Sequence, residues 1–193
     1  MEIVSKWKVY SIRLLIIILI GIIGRFGYIY VSNLPKVILE YQGVKLNDSM
    51  SEVIYSYGDP NYVLSQSEKD SFAGSSRIIY KEEVEKSPNK YNDFDSWAYE
   101  FPDHRMDIDF ESKSHKVISI GCYRDIDKGG FFPLEICPVN GIDIYNSEDE
   151  VKSILGKPDK EYIDGVTKIL VYQKLNMRVL LIKRKVYYIV VQL

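Results

Sequence analysis

Residues 43–60 (GVKLNDSMSEVIYSYGDP) and 141–158 (GIDIYNSEDEVKSILGKP) are one segment written twice, without a gap, at an offset of 98 (141 − 43). Identity falls on Gly43/Gly141, Ser49/Ser147, Glu52/Glu150, Val53/Val151, Gly58/Gly156 and Pro60/Pro158. These positions spell the start, the buried stripe and the stop of a short helix. Ser49 and Ser147 are N-cap residues with Glu52 and Glu150 three positions on, so each copy predicts a capping box. Gly58 and Gly156 stand where a left-handed residue ends a helix, and Pro60 and Pro158 bar its resumption. Met50, Val53, Ile54 and Tyr57 form one apolar stripe; Val151, Ile154 and Leu155 form the other. A two-turn helix has no stability of its own in water, so each must lie on something larger.

A sheet is the expected support. In the second copy Ile169 to Tyr172, Met177 to Ile182 and Val186 to Leu193 are apolar or β-branched runs separated by turn residues. Trp97 to Phe101, Met106 to Phe110 and Val117 to Tyr123 repeat that layout in the first copy, where KVISI (116–120) answers KVYYI (185–189). Residues 64–96 are an insertion rich in Ser, Lys, Glu and Asn, read as a mobile loop with one extra strand near Arg77 to Tyr80. The expected fold is therefore α+β: an N-terminal transmembrane helix followed by two tandem helix-plus-antiparallel-sheet repeats, over 43–124 and 141–193, with a connector at 125–140.

The membrane expectation rests on LLIIILIGIIG at 14–24, flanked by Arg13 and Arg25 and by Trp7, Tyr10, Tyr28 and Tyr30. Eleven uncharged residues are too few to span a bilayer. Snorkelling arginines and an aromatic belt extend the span to 10–30, roughly 30 Å at 1.5 Å per residue. Lys6, Lys8 and Arg13 place residues 1–9 in the cytoplasm, which makes the protein a single-pass component of a bacterial inner membrane. Residues 31–42 then form a linker and the remainder lies outside the cytoplasm. A cleaved signal peptide is the competing reading, although no small-x-small cleavage site follows the apolar run.

The pattern G-(V/I)-x-(L/I)…S-x-x-E-V…G-x-P, followed by strands, resembles the SmpA/OmlA (BamE-like) lipoprotein family, the small lipoprotein of the outer-membrane β-barrel assembly machinery. Two tandem copies are similar to the β-lactamase-inhibitor-protein fold. The resemblance covers about 43–63 and 141–162, and its matched residues are caps, helix core and turns. It implies a helical layer behind an antiparallel sheet whose other face or loops grip a protein partner, with no single binding residue carried over. The acylated Cys of that lipoprotein family has no counterpart here.

Composition narrows the classes of function. The net charge of −2 lacks the basic excess of a nucleic-acid binder. No phosphate loop, nucleophile elbow or HExxH motif occurs, so no enzyme and no cofactor is expected. The two Cys (Cys122, Cys137) and two His (His104, His115) fit no zinc spacing. The cysteines are either a disulfide closing a 15-residue separation (137 − 122) or one core thiol and one loop thiol. Asp107, Asp109 and Glu111 alternate on one strand, with Met106, Ile108 and Phe110 opposite. Without a wrapping loop or a turn glycine they read as a solvated charged rim rather than a cation site. His104 reads as a hairpin-turn residue.

Charge separates the copies: seven acids and one base lie between Asp93 and Glu111, against six bases and no acidic side chain between Lys168 and Leu193. Either the halves attract one another, or a bipolar surface steers a partner. The C-terminal hairpin breaks the alternation of a half-wet sheet. If Met177, Val179 and Leu181 face the helix, Arg178, Leu180 and Ile182 face away, and beside them Val186, Tyr188 and Val190. That second face is either covered by the first repeat, the insertion or residues 33–42, or is a partner or self-association surface centred on Tyr188. The expected function is a membrane-anchored, extracytoplasmic protein-binding module, an inhibitor or immunity-type protein occluding a toxin or hydrolase. An envelope or outer-membrane assembly and scaffolding factor is the alternative.

Overall fold

In both copies the capped-helix signal is realised atom by atom. The computed structural model describes residues 18–23, 25, 35–64, 78–80, 84, 91, 94–124 and 136–193. Helix α1 (Met50–Tyr57) is opened by Ser49, whose Oγ accepts from the Glu52 amide at 3.3 Å while the Ser49 amide donates to Glu52 Oε2 at 2.6 Å. Helix α2 (Glu148–Leu155) repeats this with Ser147 and Glu150 at 3.2 and 2.6 Å. Both helices stop at glycine, but not in the left-handed helical region. Gly58 (φ 76, ψ −162) and Gly156 (φ 81, ψ −163) adopt an extended positive-φ conformation that is essentially glycine's alone.

The helices lie on one antiparallel sheet. After a small hairpin, β1 (Glu40–Tyr41) and β2 (Val44–Lys45), come β3 (Tyr62–Leu64), β4 (Ile78–Tyr80), β5 (Ser96–Glu100), β6 (Arg105–Phe110) and β7 (Val117–Tyr123). Beyond α2 follow β8 (Lys160–Asp164), β9 (Thr167–Tyr172), β10 (Met177–Ile182) and β11 (Lys185–Gln192). The order across the sheet is β4-β3-β5-β6-β7-β11-β10-β9-β8.

The expectation of two repeats behind a transmembrane helix is corrected on two counts. First, the last strands of the two meanders, β7 and β11, pair antiparallel from Tyr188↔Tyr123 to Gln192↔Ser119. The fold is α+β with one nine-stranded sheet dominating it. Second, among the described residues no helix is long and apolar enough to cross a membrane. The chain divides into two compact units, Met1–Pro35 and Lys36–Leu193, and helical backbone in the first is described at 18–23 and 25. The single-pass, inner-membrane, extracytoplasmic assignment is corrected with it. The flanking residues Trp7, Tyr10, Arg13, Tyr28 and Tyr30, and most of the 64–96 insertion, lie outside the described residues.

One face of the sheet carries the core. Val63, Trp97, Ile108, Ile120, Val191, Met177 and Tyr172 are successive cross-strand neighbours, all buried, and they share one apolar cluster with Met50 and Val53 of α1 and Val151 and Leu155 of α2. The two halves repeat fine details. The amides of Asn47 and Tyr145 donate to the carbonyls of Val117 and Val186, and the hydroxyls of Tyr99 and Tyr172 donate to the carbonyls of Gly58 and Gly156. Each half also has a β-bulge: Ile118 is the extra residue between the pairs Asp109↔Ser119 and Phe110↔Val117, and Tyr187 between Leu180↔Tyr188 and Leu181↔Val186. The bulge at Tyr187 overturns one expectation. It puts Val186 on the same face as Ile189 and Val191, where it is 1% exposed.

Cys122 and Cys137 form a disulfide, Cα–Cα 6.0 Å, that ties β7 to the connector. The Tyr41 hydroxyl donates to the Cys137 carbonyl at 3.0 Å and so holds the first hairpin to the same place. At the other end, Glu148 pins α2 to the sheet. It contacts Lys168 at 2.5 Å and Lys152 at 2.8 Å, and both lysines also reach Glu161. Those lysines hold the Glu148 carboxyl down at about 2.

Candidate functional site

The sheet face away from the helices is built of rows that run across both halves. One row is Arg105, Tyr123, Tyr188, Leu180, Ile169 and Tyr162; the next is Ala98, Asp107, Gly121, Val190, Arg178 and Val171. Alternation with the core-facing residues fixes this assignment strand by strand.

Over β3 to β7 the rows close on themselves. Arg105 Nε donates to Asp107 Oδ1 at 2.7 Å, and its guanidinium lies 4.6 Å from the Tyr62 ring centre and 5.1 Å from that of Tyr123. Tyr188 meets Tyr123 edge-on, with ring centres 5.4 Å apart. Its hydroxyl lies over Gly121, in the space a side chain there would fill. Ser96 Oγ donates to Asp109 Oδ1 at 2.7 Å. Burial pushes the Asp107 carboxyl up to about 6, despite the stabilising charge of Arg105, and Asp109 adds to the rise. Burial raises the Tyr188 hydroxyl as well. Two opposite charges and three aromatic rings here satisfy one another, an arrangement that stiffens this part of the face.

Over β8 to β10 the same face is open. A groove of about 640 Å³ runs along it, floored by Ile169, Val171 and Leu180 and edged by Tyr162, Thr167 and Arg178. Tyr162 is 55% exposed, and Arg178 stands in solvent beside Leu180.

The residues singled out in the sequence are distributed unevenly over this surface. Leu180, Ile182, Val190 and Arg178 are on the outer face, the first three half-buried. Tyr188 is there too but packed over Gly121, so the accessible centre lies one and two strands away, around Leu180 and Ile169. Val186 belongs to the core. Of the expected solvated rim, Glu111 is exposed while Asp107 and Asp109 are partly buried. Asp107 retains 17% of its side-chain surface, because the tyrosines surround it, and Asp109 is half-buried. Glu111 lies beyond the end of β6 in the turn, where its Oε2 accepts from Ser114 Oγ at 2.5 Å. His104 is a turn residue stacked on Phe101, with Nδ1 2.7 Å from Asp103. Ile169, Tyr162, Arg105 and Gly121 were not singled out. Gly121 carried a usable signal, since a glycine inside a strand commonly marks close approach of another group. Among the described residues no cluster of His, Cys, Asp and Glu is arranged to hold a metal ion.

No protein-family profile matches the sequence, and no curated protein matches it. Among solved structures the chain is similar to a DUF4309 family protein from Bacillus subtilis, with 10% identity and a TM-score of 0.44 over 78% of this chain and 82% of that one. It is also similar to a cysteine-rich secretory protein from Staphylococcus aureus, with 8% identity and a TM-score of 0.43, covering 81% of this chain and 47% of that one.

Proposed function

We propose that the chain is a protein-binding module of the inhibitor or immunity type, which acts by occluding its partner with the open outer face of β8 to β10. The observation that supports this reading is the groove over Ile169, Val171 and Leu180: an apolar floor left accessible on a sheet whose other half is sealed. Accessible apolar concavities rimmed by polar groups are where proteins bind one another. Arg178 beside the floor selects a partner that presents an apolar projection next to a carboxylate.

The test compares the full-length chain with Leu180→Asp and Arg178→Glu as immobilised baits. The reading expects a partner retained at one-to-one stoichiometry by the native chain and lost at least about tenfold by both variants, whose near-ultraviolet circular dichroism stays native. Equal retention by all three baits moves the binding surface elsewhere. A retained enzyme or toxin whose activity is unchanged on adding the chain rules out occlusion.

A further inference from the structure

Strand β8 ends the sheet: it is hydrogen-bonded to β9 on one side and has no neighbour on the other among the described strands. All five of its residues are exposed, and apolar side chains stand among its charges, with Ile163 72% and Val166 of the following turn 66% exposed. Such an edge is a template for another strand unless its side chains forbid it. Here they specify which strand fits.

The backbone sets the phase. The loop between β8 and β9 has two residues, Gly165 and Val166, with Gly165 at φ 57 and Asp164↔Thr167 as the closing pair. The closing pair of such a hairpin is hydrogen-bonded, so Asp164, Tyr162 and Lys160 turn their backbone groups toward β9. Glu161 and Ile163 therefore turn theirs to the open edge.

The side chains set the register. The strand reads Lys-Glu-Tyr-Ile-Asp from 160 to 164. Laid antiparallel against itself and centred on Tyr162, it places Lys160 opposite Asp164 of a second copy, twice over. The outward backbone groups of Glu161 and Ile163 then meet those of Ile163 and Glu161. The Tyr162 pair falls in the non-hydrogen-bonded position, where side chains approach most closely. Neighbouring registers do not match. Centring on Glu161 opposes two carboxylates, and centring on Ile163 leaves Lys160 and Asp164 without opposite charges. The Glu161 carboxylate is already neutralised by Lys152 at 2.8 Å and Lys168 at 2.7 Å, so it does not repel the incoming edge.

We infer that β8 is a self-complementary edge through which two copies of this chain pair about a two-fold axis, joining their sheets into one. A two-fold contact needs a patch that complements itself, and the charge order of this strand meets that condition. The contact runs along the backbone edge of β8, whose Lys160, Tyr162 and Asp164 side chains also line the groove, so self-association of the purified chain is read separately from capture of another protein. A five-residue edge is short, which sets the expected dissociation constant on the order of 10–100 µM.

Charge reversal supplies the test. Sedimentation equilibrium of the full chain at low salt is expected to show a reversible dimer. Lys160→Asp and Asp164→Lys each place like charges opposite one another and weaken it at least about tenfold. The double variant carrying both changes recreates the pairing with signs exchanged, and is expected to return to within about threefold of the native constant. Both residues are exposed, so the fold tolerates the changes. Tyr162→Cys is expected to form a disulfide-linked dimer on mild oxidation. A chain that stays monomeric through the millimolar range overturns the inference. So do single variants that dimerise as well as the native chain, or a double variant no better than the singles.

Discussion

The Tyr188 hydroxyl occupies the space over Gly121 that any side chain at that position would need. Tyr188 is on β11 and Gly121 on β7, one cross-strand step along the diagonal. The seam between the two halves of the sheet therefore depends on a missing Cβ as much as on the ring that covers it.

Gly121→Ala is accordingly expected to destabilise the protein by about 1–3 kcal/mol, because the methyl group displaces a packed ring rather than straining the backbone. Gly121 has no positive φ, so the cost is steric. Urea unfolding measures it. Repeating the substitution in a Tyr188→Leu background, where the hydroxyl is gone, should recover most of the loss. An unchanged penalty there would place the clash elsewhere.

The Cys122–Cys137 bond closes a loop of 15 residues, for which chain entropy predicts about 3 kcal/mol of stabilisation. Reduction with dithiothreitol should lower the urea midpoint of the native chain and leave a Cys122→Ala/Cys137→Ala variant unmoved. Cys122 sits in the core between Met106 and Ile189, so the double variant also carries a small packing loss that reduction alone does not. Equal midpoints with and without reductant would show that the bond contributes nothing.

What could be read from the sequence was local, and what could not was long-range. The capping boxes at Ser49/Glu52 and Ser147/Glu150 involve residues three apart, so spacing alone prescribed them. The stop glycines were legible as glycines, yet their extended positive-φ geometry was not, since both conformations require the same residue. Val186 was misplaced because KVYYIVV is apolar at nearly every position after its lysine, and alternation loses its phase when an extra residue such as Tyr187 enters unseen. The pairing of β7 with β11 joins residues 65 apart (188 − 123) and no local pattern announces it. The open groove was half-legible: excess apolarity on β10 was visible, whereas the sealing of the same face over β6 depends on Arg105 lying between two tyrosines from other strands.

The sealed cluster carries a pH signature. Burial moves the Asp107 carboxyl from its ordinary 3.8 up to about 6, so folding favours its protonated form. The stabilisation this represents is complete below about pH 4 and is lost as the pH rises through about 6. Other carboxylates act in the opposite sense: Glu148, held at about 2 by Lys152 and Lys168, contributes stability that disappears as the pH falls below 4.5. A difference experiment separates the two. Asp107→Asn keeps an acceptor for Arg105 Nε and cannot ionise. Between pH 4 and 7 the native chain should lose up to roughly 3 kcal/mol of unfolding free energy relative to the variant, with the change centred between pH 4 and 6. The remaining titrations are common to both proteins and cancel. A flat difference curve would mean that Asp107 ionises as freely as a surface carboxylate, and that the tyrosines around it leave it fully solvated.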